Sequence, residues 1–218
     1  MGLDIYFHIA KNAKNVVGNN CTISEVSEYN DKRAKEIFSA FIEKTIKKLR
    51  KAKSEEEYKQ LYEKLFKKDM PKYSKWDFYW EKFLKELKPI EDVVAFLNGY
   101  AEHYYAEDDA YFRKVNCIYA YFQERLEDEA CFVDEYDLDD IIDRCDKILK
   151  GVNLHKDIPY EAIKRGEELL PTQGGFFFGS TEYDKWYFAD VKDIRKQMKK
   201  LLRKFDKNND LMYVLMSW

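Results

Sequence analysis

The spacing of apolar residues in this chain changes only near its two ends. Leu3, Ile5, Phe7 and Ile9 alternate with Asp4, Tyr6 and His8, which is the pattern of a strand with one buried face. Residues 211–218 follow an Asn208-Asn209-Asp210 turn and are mostly strand-compatible types. A half-buried strand is not stable alone, so the two ends are expected to pair in one small sheet. Gly18, Asn19 and Asn20 read as a turn, after which 22–26 is expected to return as a second strand.

Everything between runs on a helical period. Ile37, Phe38, Phe41, Ile42, Thr45, Ile46 and Leu49 follow the i, i+3, i+4 rule, and so do Tyr58, Leu61, Tyr62, Leu65 and Phe66, with lysines on the other faces. A third helix is expected to carry Trp76, Tyr79, Trp80, Phe83, Leu84 and Leu87. Pro89 then starts a helix bearing Val93, Val94, Phe96, Leu97 and Tyr100. Asp137 is expected to cap one bearing Ile141, Ile142, Cys145, Ile148 and Leu149, ended by Gly151, and Pro159 to begin another. The expected fold is α+β and mainly helical, with a small sheet from the N- and C-terminal strands. At 218 residues the chain suits a single domain, 1–218, with 31–88 as a Lys-rich helical insertion within it.

Charge separates function classes. Charged residues are 36% of the chain, yet the net charge is only -3, which argues against a generally basic nucleic-acid binder, so an extended nucleic acid is not an expected partner. The charge is zoned, however. Residues 31–88 hold 18 Lys+Arg against 11 Asp+Glu, 124–146 hold 2 against 11, and 192–207 hold 8 against 2. Such blocks are solvated helix faces, or they steer an anionic ligand, or they dock two copies as a homo-oligomer. Cys21, Cys117, Cys131 and Cys145 form no CxxC and no Cys/His group, so reduced, buried thiols in a cytoplasmic protein are expected rather than disulfides or a zinc site. The N-terminus lacks a basic signal-peptide region, and no run of about 18 apolar residues exists to span a membrane.

Two segments concentrate the residue types that bind or react. In 169–187, Gly174 and Gly175 precede Phe176, Phe177 and Phe178, and Gly179, Ser180 and Thr181 follow. Thr181 with Asp184 reads as a capping box that opens a helix over 182–205. Glycines admit close backbone approach and a helix N-terminus offers N–H donors, so a small-molecule pocket walled by Phe178 and Tyr183 is expected; a buried aromatic turn is the plainer alternative. The outer glycine spacing resembles a phosphate loop, but the lysine is missing and three Phe fill the loop.

The second segment is 111–122, read as one helix with Phe112, Val115, Tyr119 and Phe122 on one stripe and Arg113, Asn116 and Ala120 beside it. A guanidinium next to an amide suits a phosphate or carboxylate, and nearby Tyr rings can stack on a base. Alternatively Arg113 pairs with an acid and Asn116 bonds a loop backbone. His8, His103 and His155 are scattered, and 134–140 lacks the glycine and spacing of a calcium loop, so neither a metal nor another cofactor is expected. No GxSxG, HExxH or dinucleotide fingerprint occurs.

Three blocks resemble an uncharacterised group of proteins found largely in bacteriophages and prophages. The chain begins Met1-Gly2-Leu3-Asp4-Ile5-Tyr6, as that group does. A middle block of the group is matched by Tyr111, Phe112, Arg113, Lys114, Asn116, Ile118, Tyr119 and Phe122, with Tyr119 where the group has histidine. The late block is matched almost throughout 169–187, whereas 31–88 has no counterpart in shorter members. The resemblance implies a virus-borne accessory protein of the host cytoplasm, and it supplies no activity. The expected function is therefore non-enzymatic capture of a small anionic or nucleotide-like ligand, with sequestration of a host defence signal as its purpose. Arg113, Asn116, Gly174, Gly175, Phe178, Gly179, Ser180, Thr181 and Tyr183 form the expected site. Two alternatives stand beside it: an enzyme on a nucleotide-like substrate with Asp4, His8 or Asp184 as acid/base, and a module that binds a host protein.

Overall fold

The alternating N-terminal segment needs partners on both edges, and it finds them. In the computed structural model, which describes residues 2–69, 87–102 and 104–218, β1 (Asp4–Ala10) is a central strand. It pairs antiparallel with β2 (Ala110–Arg113) and with β4 (Leu211–Ser217), and β3 (Ala130–Val133) pairs antiparallel with β4, giving the order β2-β1-β4-β3. The fold is α+β and mainly helical, and the terminal strands do pair, in the register Phe7↔Val214. The chain divides into two compact units, one of 1–30 with 107–218 and one of 31–106.

In the first unit the sheet buries one face. Leu3, Ile5, Phe7, Phe112, Val133, Met212, Val214 and Met216 meet two amphipathic helices, Glu135–Ile148 and Lys185–Lys204. The second of these presents Phe188, Val191, Ile194, Met198 and Leu201, a stripe at helical spacing with every member fully buried. On the opposite face a smaller cluster of Ala10, Ala13, Val26 and Tyr213 covers one end, fastened by the Tyr29 hydroxyl donating to the Lys11 carbonyl at 2.8 Å. Asp4, Tyr6, Tyr111 and Arg113 share the uncovered part of that face.

The second unit begins where the expected insertion begins and runs on to Ala106. Its core joins Phe38, Ile42 and Leu49 of the Ile23–Leu49 helix, Tyr62 of Glu55–Lys64, Leu65 and Phe66 of the π-turn Leu65–Asp69, and Val93, Leu97 and Tyr100 of Ile90–Glu102. Its ends are tied by the Ala106 N–H donating to the Asp31 carboxylate at 2.9 Å. The helix expected around Trp76, Tyr79, Trp80, Phe83 and Leu84 lies outside the described residues.

Four local expectations are corrected. Residues 22–26 do not return as a strand: Thr22 and Glu25 cap the Ile23–Leu49 helix reciprocally, Thr22 N–H to Glu25 at 2.7 Å and Glu25 N–H to the Thr22 hydroxyl at 3.3 Å. Residues 111–122 are not one helix. β2 occupies the free edge of β1 through Arg113, Lys114 turns the chain with φ 59°, and the helix is Asn116–Phe122. Asp137 is not the cap of its helix but the third helical residue of a capping box headed by Asp134. Thr181 does not cap the last helix; Asp184 does, its Oδ1 accepting from the N–H groups of Trp186 and Tyr187 at 2.9 and 3.1 Å. The third helical position of the expected box, Asp184, is thus the true cap, and the helix starts three residues later than expected.

Candidate functional site

Three chain segments meet at the end of the sheet where β1 begins and β2 ends. The Lys114 N–H donates to the Leu3 carbonyl at 2.7 Å, and the Leu3 N–H donates to the Phe177 carbonyl at 3.1 Å. The Asn116 amide donates to the carbonyls of Ser180 at 2.9 Å and Phe178 at 3.3 Å. Asn116 therefore pins the glycine-rich turn from beneath. It is buried and its donors are spent on backbone, so it positions the turn rather than facing solvent.

The turn itself depends on two glycines. Gly175 closes a tight turn, with the Phe178 N–H on its carbonyl at 3.2 Å, and a Cβ there would fall 2.7 Å from Phe178 Cγ. Gly179 has φ +94° and packs on Lys114, whose carbonyl oxygen would lie 3.2 Å from an added Cβ. Phe178 turns inward to Tyr119 and Trp218, with ring centroids at 4.6 and 5.8 Å, whereas Phe176 is 95% exposed at the tip. Gly174, Gly179, Ser180 and Thr181 are exposed. Among the described residues the backbone N–H groups of Gly179, Ser180 and Thr181 meet no protein acceptor.

Arg113 and Asn116 do not project from one helix. Arg113 ends β2 on the uncovered sheet face, with its guanidinium 3.9 Å from where a Gly2 Cβ would stand; Lys114 Cε is 3.2 Å from the same point. Both cations are exposed, and among the described residues neither has an ion-pair partner. Tyr183 serves the frame instead: its hydroxyl accepts from the Thr172 N–H at 3.1 Å, and its ring stacks edge-on against Tyr187 at 4.8 Å. The helix N-terminus cannot take an anion, because the Asp184 carboxylate already occupies its donors.

Of the proposed acid/base residues, Asp184 is that cap, and Asp4 accepts from the Tyr111 hydroxyl at 2.5 Å. His8 lies 3.6 Å from Asp108 and stacks on Tyr213 at 5.0 Å. Burial, reinforced by Asp4, pushes the Tyr111 hydroxyl up to about 12. Burial likewise pushes the thiols up, Cys131 to about 11 and Cys145 to about 12, with Cys117 moved the same way, so these free cysteines are poor nucleophiles.

Asp190 is an acid the sequence reading missed. It stands three residues after Tyr187 and four before Ile194, on the edge of the buried stripe, and among the described residues its carboxylate has no hydrogen-bond or ion-pair partner. Burial, with Asp193 and Asp184 nearby, pushes it up to about 6. The folded chain therefore holds this proton more tightly than the unfolded chain, and stability falls as pH rises from about 4 to about 6. Asp190→Asn is expected to gain about 1–2 kcal/mol at pH 7.5, a figure discounted for partial solvent screening. It should also flatten that part of the profile in urea denaturation. Equal stability of the two proteins at pH 7.5 would contradict this assignment.

Among the described residues no group of three or more His, Cys, Asp or Glu is placed to hold a metal ion, and no helix is long and apolar enough to cross a membrane. Comparison of the chain with protein-family models, curated proteins and solved structures finds no match.

Proposed function

We propose that the chain binds a small anionic or nucleotide-like ligand without transforming it, at the junction of Arg113, Lys114 and the 174–181 turn. The observation that carries this reading is the juxtaposition of two unpaired, exposed cations with a row of N–H groups that have no protein acceptor, all anchored on the Gly2-Leu3 segment. Guanidinium and backbone N–H donors together suit a phosphate or carboxylate. The ligand contacts come from Arg113, Lys114, Gly179, Ser180 and Thr181. Asn116, Gly174, Gly175, Phe178 and Tyr183 hold the turn in shape. The phage-type resemblance supplies a setting for such capture, the removal of a host defence signal.

Native mass spectrometry of protein purified from cells tests this. Wild type is expected to retain a small anionic species that Arg113→Ala loses, because removing a charge-assisted hydrogen bond weakens binding about 10- to 150-fold. Arg113→Lys should restore part of the retention, since an ammonium cannot reproduce a planar two-pronged contact. Equal retention by wild type and a folded Arg113→Ala would overturn the reading.

A further inference from the structure

We infer that the uncovered sheet face beside Arg113 is the base-binding part of this site, and that its ligand is a nucleoside phosphate whose base carries an exocyclic amino group. The inference rests on the function proposed above and extends it to a surface that function does not use.

Tyr6 and Tyr111 are direct cross-strand partners between β1 and β2, with ring centroids 5.2 Å apart and planes tilted by 31°. Tyr111 is 41% exposed. The Tyr111 ring is held by its hydroxyl, which donates to Asp4 at 2.5 Å. A stacking surface fixed in this way loses little freedom when a flat base lies on it.

The charges around the rings give the ligand a direction. Arg113 lies opposite Asp4 in the strand register, yet that carboxylate is engaged by Tyr111, and Arg113 keeps no ion pair among the described residues. Lys114 follows it. Moving from Asp4 to His8 along β1 leads away from Arg113 to a second acid, Asp108, 3.6 Å from His8. The step from Arg113 to the ring pair is two residues along the strand, about 7 Å, which suits a phosphate on Arg113 with its own base on the tyrosines. Exocyclic N–H donors would then meet Asp108. An extended polyanion would instead carry its next phosphates toward Asp108 and be repelled, so the face selects a single nucleotide over a strand.

Isothermal titration of the full chain with AMP, UMP and inorganic phosphate separates the parts. Wild type is expected to bind AMP more tightly than UMP or phosphate. Tyr111→Ala should bind AMP about 5- to 150-fold more weakly than Tyr111→Phe, the range for losing one base–aromatic stack, since both variants release Asp4 and only one keeps the ring. Phosphate, which touches no ring, should bind the two variants equally. AMP binding by Tyr111→Ala equal to that by Tyr111→Phe, or AMP no tighter than phosphate, overturns this inference and leaves the anion site standing. UMP binding as tightly as AMP overturns the role given to the amino group. Failure of wild type to bind either AMP or phosphate overturns both the inference and the function it rests on.

Discussion

Phe178→Ala is expected to cost about 3–5 kcal/mol of folding stability, the usual range for emptying a buried phenylalanine site. The ring is 7% exposed and is enclosed by Tyr119 and Trp218, which also touch each other at 5.2 Å. Collapse around the vacancy is hindered, because Tyr119 stands on the Asn116–Phe122 helix and Trp218 follows β4. For a chain of this size the loss corresponds to a fall of about 6–20 °C in the melting temperature. The turn should loosen with it, so amide exchange at 179–181 should quicken even under conditions where the rest of the core stays protected. A loss below about 1 kcal/mol would show that Phe178 does not anchor the turn.

Asp210→Ala is expected to cost about 2–4 kcal/mol at pH 7, somewhat less than a fully buried ion pair because Lys11 is itself 39% exposed. Asp210 is 2% exposed and accepts from Lys11 Nζ at 2.6 Å and from the N–H groups of Asn12 and Asp206, each at 2.9 Å. It thereby ties the end of β1 to the loop that enters β4. Burial opposes its charge, yet the bonds from Lys11, Asn12 and Asp206 outweigh burial and hold the carboxyl below its ordinary value. A depressed carboxylate contributes stability above the ordinary carboxylate range and loses it as pH falls through the lowered value. Urea denaturation should therefore separate wild type from Asp210→Asn at pH 7 and bring the two closer below pH 3. A gap that widens on acidification would contradict this role.

The sheet was legible at its ends because the alternation in 3–9 and the strand-compatible types of 211–218 stand out from the helical period between them. Its edges were not. Phe112, Val115, Tyr119 and Phe122 fit a helical stripe as well as they fit a strand followed by a helix, and only the free edge of β1 decides between them. Thr22 and Glu25 carry a capping box at the spacing that marks a helix start, which the expectation of a strand over 22–26 left out of account. In the site, Asn116 bonds a loop backbone, which was the plainer alternative for it in the sequence, and Tyr183 likewise supports the frame. The Tyr6, Tyr111, Asp4 and Arg113 face was invisible, because it depends on strand register between residues more than a hundred positions apart, and one register step of β2 would send Tyr111 and Arg113 to the other face.

The central claim is capture without turnover at the Arg113–turn junction. Titration of nucleoside phosphates into wild-type protein, with heat of binding and the ³¹P NMR spectrum followed on the same samples, tests it most directly. The account predicts saturable binding of one ligand per chain that is lost in Arg113→Ala, with the ligand's phosphorus resonances shifted by binding but no product resonance formed. New phosphorus resonances that grow with time, or binding undiminished in a folded Arg113→Ala, would contradict it.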